Sequence, residues 1–449
     1  MAAQRLAIIG GDAAGMSAAS IARRRDGDLD IVAFERGPYT SYSACGIPYF
    51  IGGVVEDAHR LISRSLEQHR ERGIDVRTHT EVLAIDLAAR ELTVRSDDGP
   101  ESREPFDQLV VATGAEPVLP DIPGAEAIEP ARTVDAGERL VAALERRGGS
   151  RAVVIGAGYI GLEMAEAFAK RGLNVTMIDL APQVMSTLDA DMATHVQDAA
   201  ERMDIRVVLG AAIEEIVTDA DGNAVEVRAD GATYPADHVA IGTGARPAVK
   251  VAEAAGIELG DSGALRVDDH QRCPGHDGVF AAGDCAESYH RVLDRQVNIQ
   301  LGTHANKQGR IAGVNATGGN ARFPGVIGTA VSKICSCEVA RTGISEREAA
   351  KAGIAVVSET IKDRTRAGYY PGAGDIWVKL VAQPGSGRLL GGQIVGVEGA
   401  AKRIDVLATA IWTGLAVDEL ALLDLSYAPP FSGVYDPLLI AARAVAKLV

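Results

Sequence analysis

The sequence predicts an α/β protein in which one strand–turn–helix lobe is inserted into another, followed by a C-terminal α+β domain. Two apolar segments, Arg5–Ile9 and Arg151–Ile155, each run into a glycine-rich turn and then into a helix. A buried strand over 108–113 ends in Gly114, and a second copy of that ending occurs at 239–244. Together these features predict two copies of one Rossmann-like nucleotide-binding lobe.

The domain boundaries follow from where the two copies begin and close. The first lobe is predicted over 1–118 and the inserted lobe over 119–247. The first lobe resumes over 248–322, where residues 279–284 form another strand that ends at a polar turn. The charged stretch 97–107, which contains Gly and Pro, is predicted to be a hairpin loop or connector.

The remaining segment, 323–449, has a different pattern. Alternating apolar residues at 376–381 and 389–397 predict an antiparallel sheet, and helices are predicted near 404–413 and 437–447. This segment is therefore expected to form a separate α+β domain.

Composition narrows the function classes. The 449 residues are too many for one core, and 47% hydrophobic with 24% charged residues is typical of a globular protein. A formal charge of −16 argues against nucleic acid or an anionic membrane surface as a partner. The absence of a signal-peptide pattern, of a long apolar run and of a disulfide framework predicts a cytoplasmic protein.

The second glycine turn has the full G-x-G-x-x-G spacing. Gly156, Gly158 and Gly161 would bring backbone N–H groups against a pyrophosphate at the start of a helix, and Asp179 ends the next strand, where it can accept from both ribose hydroxyls. The following residues, 180–183, include no Arg or Lys for a 2′-phosphate. The turn therefore predicts NAD, with NADH preferred over NADPH.

The first turn, at 10–15, departs from this spacing because Asp12 stands in place of the middle glycine. Glu35 nevertheless ends the next strand as a ribose partner. Two glycine turns in order, each followed by an acidic strand end, predict two dinucleotide sites.

Cys45 is the candidate reactive residue. It follows Glu35 closely and is expected at the start of a helix, where the dipole and unpaired N–H groups stabilise a thiolate. Phe50 stands where a C-x-x-x-x-C dithiol would place its second cysteine. Cys45 is therefore expected to form a mixed disulfide, a persulfide or a sulfenic acid.

The other cysteines are given structural roles. Cys285 is expected to pack in a strand, Cys273 to lie in a loop, and Cys335 and Cys337 to share one face of a strand. No metal site is predicted, because no further His or Cys cluster accompanies them.

These residues resemble the single-cysteine branch of the flavoprotein pyridine nucleotide-disulfide oxidoreductases, over essentially the whole chain. The segments 112–117, 242–247 and 281–284 are similar to landmarks of that family. The resemblance implies FAD in the first lobe and homodimer formation through the C-terminal domain. It also implies that Asp284 holds the flavin ribityl chain and that Glu163 faces the nicotinamide.

The same resemblance implies a wider set of cofactor-binding residues. Leu301, Gly302 and Thr303 would line the isoalloxazine. The remaining implied positions are Gly10, Ala13, Ala14, Gly15, Arg36, Ser43, Val82, Ala112, Thr113, Gly114, Tyr159, Ile160, Gly244, Gly283, Tyr427 and Phe431.

Within the branch, the chain is most similar to coenzyme A-disulfide reductases and NAD(P)H persulfide or polysulfide reductases. The cysteine motif at 45–49 and the tyrosine motifs at 368–372 and 427–431 carry this similarity. It implies that Tyr369 and Tyr427 reach the active site of the partner subunit and help to protonate the departing thiolate.

The similarity also implies a coenzyme A site formed by Ser17, Arg24, Ser41, Arg72 and Lys307. Two positions depart from the pattern, since Ala44 replaces an amide side chain and Tyr435 stands where some members have Lys. Three alternatives stay open: an NADH oxidase or peroxidase with a Cys45 sulfenate, a flavin-bound redox sensor, and an electron donor to a partner protein. Ala13, where the peroxidase group usually has His, favours a thiol substrate.

Overall fold

The computed structural model describes residues 4–449. The first part of the chain forms strands and helices that begin with the predicted strand, turn and helix. They are β1 (Arg5–Ile9), α1 (Ala13–Arg25), β2 (Asp30–Phe34), α2 (Ile47–Ile51), α3 (Leu66–Arg70), β3 (Asp75–Arg77), β4 (Thr80–Asp86), β5 (Glu91–Ser96), β6 (Glu101–Pro105) and β7 (Gln108–Val111).

The second stretch contains the inserted lobe. Its elements are β8 (Ala115–Pro117), α4 (Val134–Arg147), β9 (Arg151–Ile155), α5 (Tyr159–Lys170), β10 (Asn174–Asp179), α6 (Ala190–Glu201), β11 (Arg206–Leu209), β12 (Ile213–Thr218), β13 (Ala224–Ala229), β14 (Ala232–Pro235), β15 (His238–Ile241) and β16 (Ala245–Pro247). Strands in the order β11-β10-β9-β15 form a parallel sheet. Where the chain enters and leaves this lobe, β8 and β16 pair antiparallel.

The chain then returns to the first lobe. It forms α7 (Lys250–Ala254), β17 (Val279–Ala281), β18 (Ser288–His290), β19 (Arg295–Val297) and α8 (Gly302–Ala316). The parallel sheet of the first lobe has the order β17-β7-β1-β2-β3, so its strands come from both sides of the inserted lobe. The predicted insertion is therefore confirmed.

Close packing of α8 against α1 supports this sheet from one side. A Cβ at Gly309 would lie 2.1 Å from the Ala14 carbonyl oxygen, so only glycine allows this approach. Residues of β1, such as Leu6 and Ile8, are completely buried beneath the two helices. The packing fixes the turn between β1 and α1 on a rigid base.

The C-terminal domain consists of β20 (Ala330–Ile334), β21 (Cys337–Gly343), α9 (Glu346–Ala352), β22 (Val357–Arg364), β23 (Asp375–Ala382), β24 (Leu389–Gly396), α10 (Ile404–Thr413), α11 (Val417–Leu420) and α12 (Pro437–Val445). Its antiparallel sheet has the order β20-β21-β24-β23-β22. The predicted sheet and both predicted helices are confirmed, and α12 ends two residues earlier than expected.

The structure differs from the sequence prediction in the stretch 97–107 and at two cysteines, one of which, Cys285, lies in the turn after β17 and not in a strand. Half of the stretch 97–107, expected to be a loop or connector, is the edge strand β6, which pairs with β5. Cys335 does not share a strand face with Cys337, because it occupies the turn between β20 and β21 with φ 55°. Within residues 4–449, no helix combines the length and apolar character needed to cross a membrane.

Candidate active site

The glycine turn of the inserted lobe has the shape of a pyrophosphate cradle. Gly156 has φ +104°, and a Cβ at Gly161 would lie 1.9 Å from the Gly156 carbonyl oxygen, so both positions require glycine. A Cβ at Gly158 would meet no atom within 4 Å. Gly158 therefore borders open space at the start of α5, where backbone N–H groups can meet an anion.

The acidic residues at the strand ends make equivalent hydrogen bonds in the two lobes. Asp179 accepts from the Ala157 and Ala181 N–H groups at 2.5 and 2.7 Å. Glu35 accepts from the Gly11 and Gly37 N–H groups, both at 2.8 Å. Each carboxylate is thus fixed beside its glycine turn, with lone pairs left over for ribose hydroxyls.

Asp12 binds the backbone of a neighbouring loop through its side chain. Its Oδ1 accepts from the Tyr42 N–H at 3.1 Å. Burial raises the pKa of Asp12 to about 7, with a smaller contribution from the charge of Glu35, although the Tyr42 hydrogen bond opposes the shift. A carboxyl that is partly neutral near pH 7 repels a pyrophosphate less than an aspartate of ordinary pKa. The departure from G-x-G-x-x-G is therefore compatible with an anionic cofactor.

The other predicted flavin contacts gather mainly at the carboxyl edge of the first sheet. Because these strands are parallel, their C-terminal ends meet at the same edge. The turn at 10–15 follows β1, Glu35, Arg36 and Ser43 follow β2, Ala112, Thr113 and Gly114 follow β7, and Gly283 and Asp284 follow β17. Leu301, Gly302 and Thr303 begin α8, whereas Val82 lies in β4 of a separate three-stranded sheet.

Arg132 is a site residue that the sequence did not indicate. Its guanidinium lies 3.4 Å from an Asp284 carboxylate oxygen. Burial raises the pKa of Asp284, and the charge of Arg132 opposes that shift. Arg132 lies in a loop just before α4, without any spacing pattern that could have linked it to Asp284.

Cys45 lies in a single 3₁₀ turn, Ala44–Gly46, directly before α2, and is exposed. The expectation of a stabilised thiolate is wrong for the chain alone. Although the residue as a whole is exposed, its sulfur is partly desolvated. This desolvation first, and the charge of Glu163 second, raise the pKa of the Cys45 thiol, and the hydrogen bond of its own backbone only partly opposes them. The helix α2 has only five residues, which limits its dipole.

Glu163 belongs to α5, the helix that follows the second glycine turn, as do Tyr159 and Ile160. Its Oε1 accepts a hydrogen bond of 2.7 Å from the Ser332 hydroxyl of β20. Burial raises the pKa of Glu163, and the Ser332 hydrogen bond lowers it. Glu163 is thus held between the inserted lobe and the C-terminal domain while its charge acts on Cys45.

An open cavity of about 700 Å³ collects most of the predicted coenzyme A contacts. Ser17, Arg24, Ser41 and Arg72 line it, and so do residues that were not predicted: Arg23, Arg64, Asn306 and Arg310. Lys307 lies on the exposed face of α8 and is not among the lining residues. Ser43, two residues before Cys45, also lines this cavity, which is called the arginine cleft below.

The arginines of the arginine cleft form no salt bridge in the part of the chain that the structure describes, although the Asp12 carboxyl, whose pKa is raised to about 7, also lines the cleft. Within the described residues, the bonds of Arg23, Arg24 and Arg64 go to backbone carbonyls and to the Ser20 hydroxyl. Burial lowers the pKa of Arg64, and the neighbouring charges of Arg72 and Arg24 lower it further. Arginines that repel one another at an open cleft favour an anionic ligand such as a phosphate.

The two tyrosine motifs lie side by side on the surface. The Ala367 N–H donates to the Pro429 carbonyl at 3.2 Å, which joins the two segments. Tyr369, Tyr427 and Phe431 are 77%, 47% and 74% exposed. Exposed aromatic side chains in this number are typical of an interaction surface.

The other cysteines do not form a second site. Cys273, Cys285 and Cys337 are buried, and the Cys285 thiol lies near backbone carbonyl oxygens in the turn after β17. In the part of the chain from 4 to 449, no three His, Cys, Asp or Glu side chains are placed to hold a metal ion.

Comparison with known proteins places the chain among oxidoreductases. The family described as pyridine nucleotide-disulphide oxidoreductase matches residues 4–309, and its dimerisation domain matches residues 329–438. An NADH oxidase of Methanocaldococcus jannaschii is 37% identical over 447 residues, 99% of each chain. An NAD(P)H coenzyme A polysulfide/persulfide reductase of Pyrococcus horikoshii is 36% identical over 454 residues, 98% of each chain. The solved structure of an NAD-dependent persulfide reductase from A. fulgidus is 39% identical, with a TM-score of 0.95, and the match covers 99% of this chain and 83% of that one.

Proposed function

Since this chain belongs to the pyridine nucleotide-disulphide oxidoreductase family, we propose that it uses NADH to reduce the disulfide or persulfide of coenzyme A, or of a related low-molecular-weight thiol. The arginine cleft is the observation that carries the choice of substrate. It offers cations for phosphate groups, and Ser43 extends its wall to within two residues of Cys45.

Family membership implies FAD and NAD(P)H, which supply hydride transfer and a two-electron relay when bound. We assign the first cradle, with Glu35 and Asp284, to FAD, and the second cradle, with Asp179 and Glu163, to the nicotinamide nucleotide. The open space at Gly158 and the glycine-only positions around it support this assignment.

The chemical step belongs to Cys45. Its thiolate attacks one sulfur of the substrate disulfide R–S–S–R, so that a Cys45–S–S–R bond forms and RS⁻ leaves and takes up a proton. Two electrons that come from NADH then break the mixed disulfide. This step regenerates the Cys45 thiolate and releases the second thiol with a second proton.

Tyr369 and Tyr427 complete the proposal as proton donors to the leaving thiolate. Because both tyrosines are exposed on the dimerisation domain, we propose a homodimer in which their hydroxyls serve the cysteine of the other subunit. The proximity of the two phenols supports a paired role, since desolvation first and the neighbouring Tyr427 second raise the pKa of Tyr369.

The preference for NADH rests on Asp179. A 2′-phosphate at the ribose would meet this carboxylate, and the exposed Leu180 that follows offers no positive charge. We propose that NADPH is used less efficiently for this electrostatic reason.

A kinetic comparison of acceptors tests the proposal. Under anaerobic conditions, the flavin-loaded protein should oxidise NADH rapidly with coenzyme A disulfide and slowly with cystine. Cys45→Ser should abolish this turnover, whereas Cys335→Ser, in the turn between β20 and β21, serves as the matched control. If the protein oxidises NADH in air as fast without any disulfide as with one, an NADH oxidase activity would be favoured instead. The relative from Methanocaldococcus jannaschii is named as such an oxidase.

A further inference from the structure

His69 is a buried titratable residue that the proposed chemistry does not use. It lies in the short helix α3 and is 0% exposed. Its Nε2 is 3.0 Å from the Ser41 Oγ, while its Nδ1 is buried without a hydrogen-bond partner in the described residues. The imidazole is therefore hydrogen-bonded to one of the residues that line the arginine cleft, Ser41.

The Ser41 backbone is held firmly in an unusual conformation. Its φ is +51°, a region that residues other than glycine adopt rarely. The Ser41 N–H donates to the Gly11 carbonyl at 3.0 Å, and its own carbonyl accepts from the Ser63 N–H at 2.8 Å. Strained backbone that surrounding hydrogen bonds hold in place is common at ligand sites. Here the two hydrogen bonds hold the Ser41 backbone and so fix the position from which its side chain extends.

Burial, together with neighbouring positive charge, keeps the imidazole neutral. Burial lowers the pKa of His69 to about 4, and the nearby Arg64 and Arg72 lower it as well. A neutral imidazole carries one N–H group, on either Nδ1 or Nε2. A proton on Nδ1 would leave a buried N–H without a partner, which proteins rarely tolerate, whereas a proton on Nε2 pairs with Ser41. We therefore place the single N–H proton of the His69 imidazole on Nε2.

We propose that His69 is a positioning residue that makes Ser41 a hydrogen-bond donor to a phosphate oxygen of the ligand in the arginine cleft. The Ser41 oxygen accepts the His69 N–H with one of its two lone pairs, so the Ser41 hydroxyl is free to direct its own hydrogen into the cleft. In the opposite tautomer Ser41 would donate to His69 and present only lone pairs to the anion. This inference rests on the proposed function, because it requires a phosphate-bearing ligand in that cleft.

The test uses adenosine 3′,5′-bisphosphate, an anionic fragment of coenzyme A without a thiol, and isothermal titration calorimetry on the flavin-loaded protein. Ser41→Ala and His69→Leu should each weaken binding about tenfold, the size expected for a hydrogen bond to a charged group. The double variant should bind no more weakly than either single variant, because both remove the same donor. His69→Gln, which retains an N–H near the Nε2 position, should recover most of the affinity.

Arg24→Ala provides the matched control for this cycle. Arg24 lines the same cleft but is not bonded to Ser41 or His69, so its effect should add to that of His69→Leu. Thermal melting and flavin content show that each variant is folded. Two results would overturn this inference but leave the proposed substrate intact. One is that the affinity losses of Ser41→Ala and His69→Leu add in the double variant, and the other is that folded His69→Leu binds the fragment with the affinity of the unmodified protein. Failure of the unmodified protein to bind the fragment would overturn the proposed substrate and this inference with it.

Discussion

The Ser332 hydroxyl donates a hydrogen bond of 2.7 Å to the Glu163 carboxylate, joining the C-terminal sheet to the helix behind the second glycine turn. Three residues further along the chain in each case, the Cys335 N–H in the turn after β20 donates to Glu166 of α5 at 2.8 Å. The β20–β21 hairpin is thus fixed against α5 at two points on one helical face. Through this contact the dimerisation domain sets the position of a charge that acts on Cys45.

Glu163→Gln is expected to lower the pKa of Cys45. The negative charge of Glu163 is the largest contribution after desolvation to the raised pKa of that thiol, and the amide removes the charge at nearly constant shape. The pH dependence of Cys45 alkylation by iodoacetamide, followed by mass spectrometry, measures the shift. Glu166→Gln, one turn along α5, is the matched control and should produce a smaller shift. An unchanged or higher Cys45 pKa in Glu163→Gln would show that this charge does not reach the sulfur.

Ser332→Ala is expected to raise the pKa of Glu163. Burial already raises that pKa, and the variant removes the hydrogen bond that lowers it. The pH profile of flavin reduction by NADH should move to higher pH on its acidic side, and Ser332→Thr, which keeps the hydroxyl, should resemble the unmodified protein. Identical profiles for the alanine and threonine variants would mean that Ser332 has only a packing role.

The double variant Asp179→Ala with Leu180→Arg is expected to shift coenzyme preference. It removes the carboxylate that we propose faces the ribose, and it adds a guanidinium that can pair with a 2′-phosphate. The ratio of kcat/KM for NADPH to that for NADH should rise by roughly 100-fold, about 2.7 kcal/mol. A ratio that stays at the unmodified value in a folded variant would mean that Asp179 does not face the ribose.

Arg72→Ala and Arg64→Ala are each expected to raise the KM for coenzyme A disulfide about tenfold, since each removes one cation from the cleft. Their effect should shrink as salt concentration rises. The KM for pantethine, a disulfide without phosphates, should change little. Lys307→Met is the matched control, because Lys307 does not line the cleft, and its effect should stay below about twofold. Equal losses for pantethine would indicate a general distortion of the site.

Lys379→Met is expected to destabilise the contact between the inserted lobe and the C-terminal domain. The buried ammonium lies 2.8 Å from both Asp191 and Glu346, and 3.5 Å from the buried Asp189. Asp189 is buried, whereas solvent screens the half-exposed Asp191 and Glu346. Removal of the cation is therefore expected to cost about 2 kcal/mol, less than for a fully buried ion pair. The melting temperature at neutral pH should fall by several degrees.

Acid should diminish the effect of Lys379→Met. Burial opposes the shift, but the hydrogen bonds from Lys379 outweigh it and lower the pKa of Asp191 and Glu346. Groups with lowered pKa stabilise the fold above their ordinary pKa and lose that contribution as pH falls through the lowered value. The difference in melting temperature between the two proteins should therefore narrow below about pH 4. If the melting temperatures of the unmodified protein and Lys379→Met differed equally at neutral and acid pH, the ion pairs of Lys379 with Asp191 and Glu346 would not be the cause of the difference.

Local patterns predicted the elements whose formation depends on local sequence. The strand Arg5–Ile9 and the helix Ile404–Thr413 have the predicted bounds, because their apolar spacing and flanking turns define them. The strand β6 was not foreseen, since its charged residues form a strand only through pairing with β5.

The parts of the site that join distant segments could not be predicted from the sequence. The motif residues Cys45, Asp179 and Ser41 were identified because a spacing or a resemblance marks them. Ser332 and His69 were not, because each acts through a contact with a residue far away in the chain. Such contacts depend on how the lobes pack, which no local pattern records.

Mass spectrometry of Cys45 after exposure to coenzyme A disulfide tests the central claim most directly. The thiol should gain the mass of one coenzyme A, lose it when NADH or a thiol reductant is added, and gain nothing in Cys45→Ser. A Cys45 that stays bare or becomes only oxygenated under these conditions would contradict exchange with this substrate and favour the sulfenate chemistry of an oxidase.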